Sequence, residues 1–214
     1  MRVGVIDYGV GNLGSIKRSL EELQIDAVLL GDPSAIKGVD RLILPGVGNF
    51  TECMERLAKG GWIEPLRDAV HARQAYLLGV CVGMQMLADF GSEGAATSSN
   101  SGTAGLGFVP GRVDHLSSLG CSLRIPHVGW NSVETTGSLP ELFNTIPEGT
   151  DFYFVHSYAF QAAHADNIVG TTGYSIPITA VVRKGRVMGT QFHPEKSSRA
   201  GFALLRNFVT LHTC

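Results

Sequence analysis

Short apolar runs punctuate the first part of this chain, at residues 2–7, 27–30, 41–44 and 76–80. Each is too short for a helix and is closed within a few residues by glycine or proline, so each predicts a buried strand. Between them apolar residues recur at helical spacing. Ile16, Leu20 and Leu23 mark one helix, Phe50, Met54 and Leu57 a second, and Trp62, Leu66 and Val70 a third. Met84 to Ala88 reads as the opening of another. Strands alternating with helices predict a flavodoxin-like, doubly wound, mostly parallel sheet. In such sheets ligands bind beyond the carboxyl ends of the strands.

The pattern changes near residue 91. Ser92 to Gly105 is rich in Ser, Gly, Ala and Thr and predicts a surface loop. Short β-like segments follow at 106–113, 123–126, 130–133, 152–155, 168–171, 178–182 and 186–192. Lys184-Gly185 reads as a hairpin turn between the last two. This half predicts an antiparallel extension of the sheet or a smaller antiparallel layer. A final helix spans about 199–211, with Phe202, Leu205 and Val209 on its inner side. No repeat or linker interrupts the chain, so residues 1–214 are expected to form one domain.

Composition narrows the classes. Hydrophobic residues make up 44% and charged residues 17%, a globular balance. The net charge is −2, from 17 basic and 19 acidic residues, and no Lys/Arg cluster points to nucleic acid or an anionic membrane. No apolar run reaches the length of a membrane span. The start of the chain lacks the pattern of a signal peptide. Cys53, Cys81, Cys121 and Cys214 follow neither metal-ligand nor disulfide spacing. A cytoplasmic protein without metal or cofactor is expected.

Four features carry chemistry. Cys81 lies between the strand at 76–80 and a helix opening, with Gly79 and Gly83 two residues to either side. That is the layout of a nucleophile elbow, with sulfur in place of the serine oxygen. The helix start favours thiolate, and the Val82 N–H is placed to donate to an oxyanion. Taken alone, Cys81 reads as readily as a small core residue. The second feature is His193-Pro194-Glu195, whose i, i+2 spacing at a strand's exit puts a base beside an orienting carboxylate. An exposed surface turn is the plainer account of it. The third, Gly9-x-Gly11-x-x-Gly14 with Asp32 further on, matches a dinucleotide-binding fingerprint and equally a tight strand-to-helix turn. The fourth, Pro45-Gly46-Val47-Gly48, is a loop that can offer a second oxyanion N–H, or a simple turn. A redox or hydrolase protein using the elbow cysteine alone stays open on these residues.

Together, Gly79-x-Cys81-x-Gly83-x-Gln85 and His193-Pro194-Glu195 resemble the triad-type, class I glutamine amidotransferases. Six segments narrow the resemblance: 7–15, 45–48, 79–85, 126–131, 153–158 and 191–197. They are similar to the glutaminase subunits of imidazole glycerol phosphate synthase, of histidine biosynthesis. The resemblance implies Cys81 as nucleophile, His193 as base and then acid, and Glu195 as its orienter. It implies an oxyanion hole from Val82 with Val47 and Gly48. Glutamine would be bound by Gln85, Glu93 and the backbone of His156, Ser157 and Tyr158. Asn12 and Lys196 would face a partner (β/α)8-barrel synthase subunit in a heterodimer, and the ammonia would pass to that partner. Paralogous glutaminases serve other synthases, so the same chemistry for a different partner is the alternative. The run at 95–105 and Met188 depart from the family's usual sequence.

Overall fold

The computed structural model describes residues 2–96, 102–137 and 139–211. Part of the loop expected at 92–105, residues 97–101, lies outside the described residues.

The first half of the chain follows the alternating pattern. β1 (Arg2–Ile6) leads to α1 (Leu13–Glu22), β2 (Asp26–Leu30), β3 (Arg41–Gly46), α2 (Phe50–Lys59), α3 (Ile63–His71) and β4 (Tyr76–Cys81). β3 and β4 are buried along their whole length, which is why they read as unbroken apolar runs. α4 (Val82–Gln85) is a single turn and not the start of a long helix. It stops because the carbonyls of Met86, Leu87 and Ala88 accept hydrogen bonds from the N–H groups of Leu106, Val109 and Gly107. The same bonds explain why the strand expected at 106–113 forms only from Gly111 onward. The N–H groups of Leu106, Gly107 and Val109 are spent on the segment after α4.

β5 (Phe90–Gly91), β6 (Thr103–Ala104), β7 (Gly111–His115), β8 (His127–Thr135), β9 (Thr150–His156), β10 (Tyr158–Ala162), β11 (Ile168–Gly173), β12 (Pro177–Lys184) and β13 (Val187–Thr190) follow, and α5 (Ser198–Thr210) comes last. The strand expected at 123–126 is absent. Its backbone turns instead to the bend at 174–175, where the Tyr174 hydroxyl donates to the Arg124 carbonyl and the Ser122 N–H to Ser175 Oγ. The hairpin turn falls one residue later than expected, at Gly185-Arg186. In α5, Leu204, Leu205, Phe208 and Val209 face inward, while Phe202 is only half-buried.

The large sheet runs β2-β1-β3-β4-β13-β12-β11-β8-β9, and a small one runs β10-β7-β5-β6. The first five strands of the large sheet are parallel, in the order of a flavodoxin-like sheet. The last four pairings are antiparallel. The antiparallel extension occurs as expected, while the separate small sheet is mixed and not purely antiparallel, because β5 pairs in parallel with β7. One hydrophobic cluster joins the helices, both sheets and α5. No described helix is long and apolar enough to cross a membrane.

Topology positions the site. β13 returns from the far end of the sequence to pair in parallel with β4, Thr190 beside Val80. β3 flanks β4 on its other side, Gly46 beside Cys81. The carboxyl ends of three adjacent parallel strands thus bring together Val47, Cys81 and His193.

Candidate active site

Cys81 is buried and has φ of 56° and ψ of −114°. A non-glycine residue at positive φ is uncommon and is held only where its surroundings dictate it. Here the two flanking glycines let the backbones close in. A Cβ on Gly79 would lie 2.5 Å from the Gly83 carbonyl oxygen, and one on Gly83 would lie 1.9 Å from the Leu44 carbonyl oxygen. The first N–H of a helix has no acceptor within the helix, so the Val82 N–H, at the start of α4, is available to a ligand.

His193 stands three residues after β13 ends and caps a tight turn over Pro194–Lys196. That turn, and not strand pleating, brings the Glu195 carboxylate to the ring: His193 Nδ1 lies 2.8 Å from Glu195 Oε1. Both side chains are almost fully shielded, at 3% and 0% exposure. Three bonds fasten the turn. The Ser197 hydroxyl donates to the His193 carbonyl at 2.6 Å, the His193 N–H to the Tyr153 carbonyl, and the Tyr153 N–H to Ser197 Oγ. Burial pulls the His193 pKa down. Hydrogen bonds to Cys81 and Glu195, with the electrostatic pull of both sites, outweigh it and raise it to about 9. The histidine is thus built to carry a proton beside the sulfur.

Eleven of the thirteen residues singled out from sequence line one cavity of about 410 Å³: Val47, Gly48, Cys81, Val82, Gln85, Glu93, His156, Ser157, Tyr158, His193 and Lys196. Pro126 and Val155 complete its lining. Glu195 sits behind His193, and half-buried Asn12 donates to Glu195 Oε1 at 3.3 Å. Asn12, expected at a partner surface, therefore also touches the carboxylate of the candidate triad. Glu93 Oε2 accepts the Phe50 N–H at the start of α2 at 2.9 Å, and burial raises its pKa. Two side chains hold the 45–48 loop: the Tyr8 hydroxyl donates to the Pro45 carbonyl at 2.9 Å and the Cys53 thiol to the Val47 carbonyl at 3.5 Å.

Sequence reasoning gave no role to Gln191. Its Oε1 accepts from Gln85 Nε2 at 3.0 Å, and its Nε2 lies 3.9 Å from Cys81 Sγ. The signal was only its place, two residues before His193.

The glycine fingerprint has a packing cause. Gly9 and Gly11 adopt φ of +83° and +124°, and a Cβ on Gly11 would meet Pro45 at 2.9 Å. The third glycine of a dinucleotide site serves close helix–strand packing, yet a Cβ on Gly14 would meet nothing. Asp32 accepts the Ser34 N–H at 2.7 Å and caps a local turn. Among the described residues no group of three or more His, Cys, Asp or Glu could hold a metal ion.

The family model for class-I glutamine amidotransferases matches residues 4–211. Imidazole glycerol phosphate synthase subunit HisH of Neisseria meningitidis is 40% identical, covering 98% of this chain and 99% of its own length. The subunits of the same name from Moorella thermoacetica and Salinibacter ruber are 39% and 40% identical, each over 98% of this chain. Among solved structures, PurLQS from Thermotoga maritima superposes with a TM-score of 0.74 at 16% identity, covering 97% of both chains. A crystal structure of a glutamine amidotransferase gives 0.71 at 22%, covering 97% of this chain and 96% of that one. The solved structures share the fold, and the sequence relatives narrow it. The chain belongs to the class-I glutamine amidotransferases and, within them, to the family of imidazole glycerol phosphate synthase subunit HisH.

Proposed function

We propose that this chain is the glutaminase subunit of an imidazole glycerol phosphate synthase, acting in the cytoplasm in histidine biosynthesis. It hydrolyses glutamine to glutamate and passes the ammonia to a (β/α)8-barrel synthase subunit in a heterodimer. The observation that carries the reading is the meeting of Cys81, His193 and Glu195 at the ends of β4 and β13, beside a cavity of about 410 Å³.

The chemistry follows from the placement. The Cys81 thiol gives its proton to His193, and the thiolate attacks the side-chain amide carbon of glutamine. The carbonyl oxygen takes up the electron pair and is held by the Val82 N–H and by an N–H of the Val47–Gly48 loop. His193 returns the proton to the leaving nitrogen, the C–N bond breaks, and ammonia departs. A glutamyl thioester remains on Cys81. Water, deprotonated by His193, attacks it and releases glutamate and thiol. Glu195 holds the His193 Nδ1 proton throughout and stabilises the imidazolium. Gln85, Glu93 and the 156–158 backbone seat the glutamine.

A partner surface adjoins the cavity. Val47, Val128 and Trp130 are large apolar residues exposed at 37%, 54% and 54%. Trp130 packs edge-on against Tyr153, over whose ring Lys196 lies at 5.8 Å. A synthase subunit covering this patch would sit where ammonia leaves. The relatives at about 40% identity favour the histidine-pathway synthase over synthases of other pathways, which the fold alone would also suit.

Glutamate release from glutamine, by this chain alone and with the barrel subunit and its nucleotide ligand, tests the proposal. A large rise in the complex is expected, and Cys81→Ala is expected to abolish turnover while leaving the fold intact. Wild-type turnover by Cys81→Ala would overturn the mechanism. Hydrolysis indifferent to the barrel would overturn the pathway.

A further inference from the structure

One cluster lies at the cavity wall, and its side chains have no role in the reaction above. β8 carries His127 and Asn131, β9 carries His156, and the two strands pair with His127 opposite His156. His127 Nδ1 lies 3.0 Å from His156 Nε2. His156 Nδ1 lies 2.9 Å from the Tyr158 carbonyl oxygen, and His127 Nε2 lies 3.4 Å from Asn131 Nδ2. The Asn131 amide is oriented by its other bonds: Nδ2 donates to the Gly173 carbonyl at 2.7 Å and Oδ1 accepts the Ser132 N–H at 3.0 Å.

The acceptors dictate where the protons sit. A carbonyl only accepts, so His156 Nδ1 carries hydrogen. Burial lowers the pKa of His127 to about 4 and that of His156 to about 3, which leaves both rings neutral at pH 7. A neutral imidazole has one N–H. His156 Nε2 is therefore an acceptor, His127 Nδ1 donates to it, and His127 Nε2 accepts from Asn131. Donation runs one way, from Asn131 through two rings to the Tyr158 carbonyl.

That carbonyl also accepts Gln85 Nε2 at 3.0 Å. The second Gln85 amide hydrogen goes to Gln191. Both donors of Gln85 are thereby committed, and its Oε1 is buried at the cavity without a partner. We propose that His127 is a positioning residue for the glutaminase reaction: with Asn131 and His156 it fixes the Tyr158 carbonyl, and so holds Gln85 with Oε1 turned to accept from bound glutamine. This rests on the function proposed above.

The competing role for His127 is packing, since its ring stacks between Phe154 at 4.9 Å and Tyr174 at 4.0 Å. Two variants separate the roles. His127→Phe keeps the stack and removes the donor. His127→Asn removes the stack and places an amide nitrogen where Nδ1 was. Measured in complex with the synthase subunit, His127→Phe is expected to raise the KM for glutamine about tenfold, the worth of one buried hydrogen bond, with kcat changed less than about threefold. His127→Asn is expected to keep KM near the wild-type value. An unchanged KM in His127→Phe, or an equal rise in both variants, would overturn the proposal. Nitrogen-15 spectra of the full chain give a readout independent of turnover. Both neutral histidines are expected to carry the proton on Nδ1, and an Nε2–H form of either would overturn the relay even in an active enzyme. Nδ1–H forms in a chain that hydrolyses no glutamine with any synthase would remove the function and leave the relay standing.

Discussion

Glu195 has one oxygen on His193 and Asn12, while its other, Oε2, is buried without a partner. Its charge, more than its shape, fixes the tautomer of His193. Glu195→Gln keeps the size but offers an amide N–H to Nδ1, which favours the wrong tautomer. The expected result is a fall in kcat of about 100-fold or more with KM for glutamine little changed, read by steady-state kinetics in the complex. The histidines also set opposite pH limits on stability. His193 titrates above its unfolded value of about 6.5. Its contribution is whole below that pH and is lost as pH rises toward 9. His127 and His156 titrate below it, so the unfolded chain takes up their protons first. Stability then falls as pH drops from about 6.5 toward 4 and 3. Urea midpoints from pH 4 to 9 are expected to trace both limbs. His127→Phe should flatten the acid limb, each histidine contributing at most about 1.4 kcal/mol per pH unit.

Among the elements, the turn from β4 into α4 tolerates little. A methyl group on Gly83 meets a backbone carbonyl that cannot swing aside. Gly83→Ala is expected to cost about 3 kcal/mol or more, or to prevent folding. Gly14→Ala is the contrasting case. It lies in α1 with open space around it, so it should be neutral or stabilise by about 0.5–1 kcal/mol. Chemical denaturation of the two variants checks both. Parallel strands and amphipathic helices were legible because their patterns are local. The missing strands at 106–110 and 123–126 were not, because their backbone groups bond to segments distant in sequence, at 86–89 and 174–175. The same holds for α4, which ends where the following carbonyls, of Met86 to Ala88, are claimed by residues 106–109.

At the scale of the molecule, the exposed patch of Val128 and Trp130 continues from the rim of the cavity. Trp130→Ala is expected to weaken the complex with the synthase subunit by about tenfold or more, as loss of a buried aromatic anchor does, while leaving the basal glutaminase rate of the isolated chain unchanged. Calorimetric titration and glutamate release measure the two. The nucleophile, its base and carboxylate, and the 45–48 loop were legible because three glycine- or proline-marked motifs fall at strand ends, whereas Gln85, Glu93, the 156–158 backbone, Asn12 and Lys196 came only with the family resemblance. Gln191 and the His127–His156 pair carried no such mark.

The sequence by itself determined the parallel strands and amphipathic helices of the first half, since burial periodicity is written residue by residue. It also determined the reactive groups, since a thiol framed by glycines and a histidine beside a carboxylate are chemical facts of the chain. The tertiary structure decided which of those groups meet. Only the return of β13 to pair with β4 sets His193 beside Cys81, across 111 intervening residues. Only the pairing of β8 with β9 sets His127 behind His156 in line with one carbonyl. Such meetings depend on strand order and register, which are settled by long-range pairing and not by the pattern along any one segment.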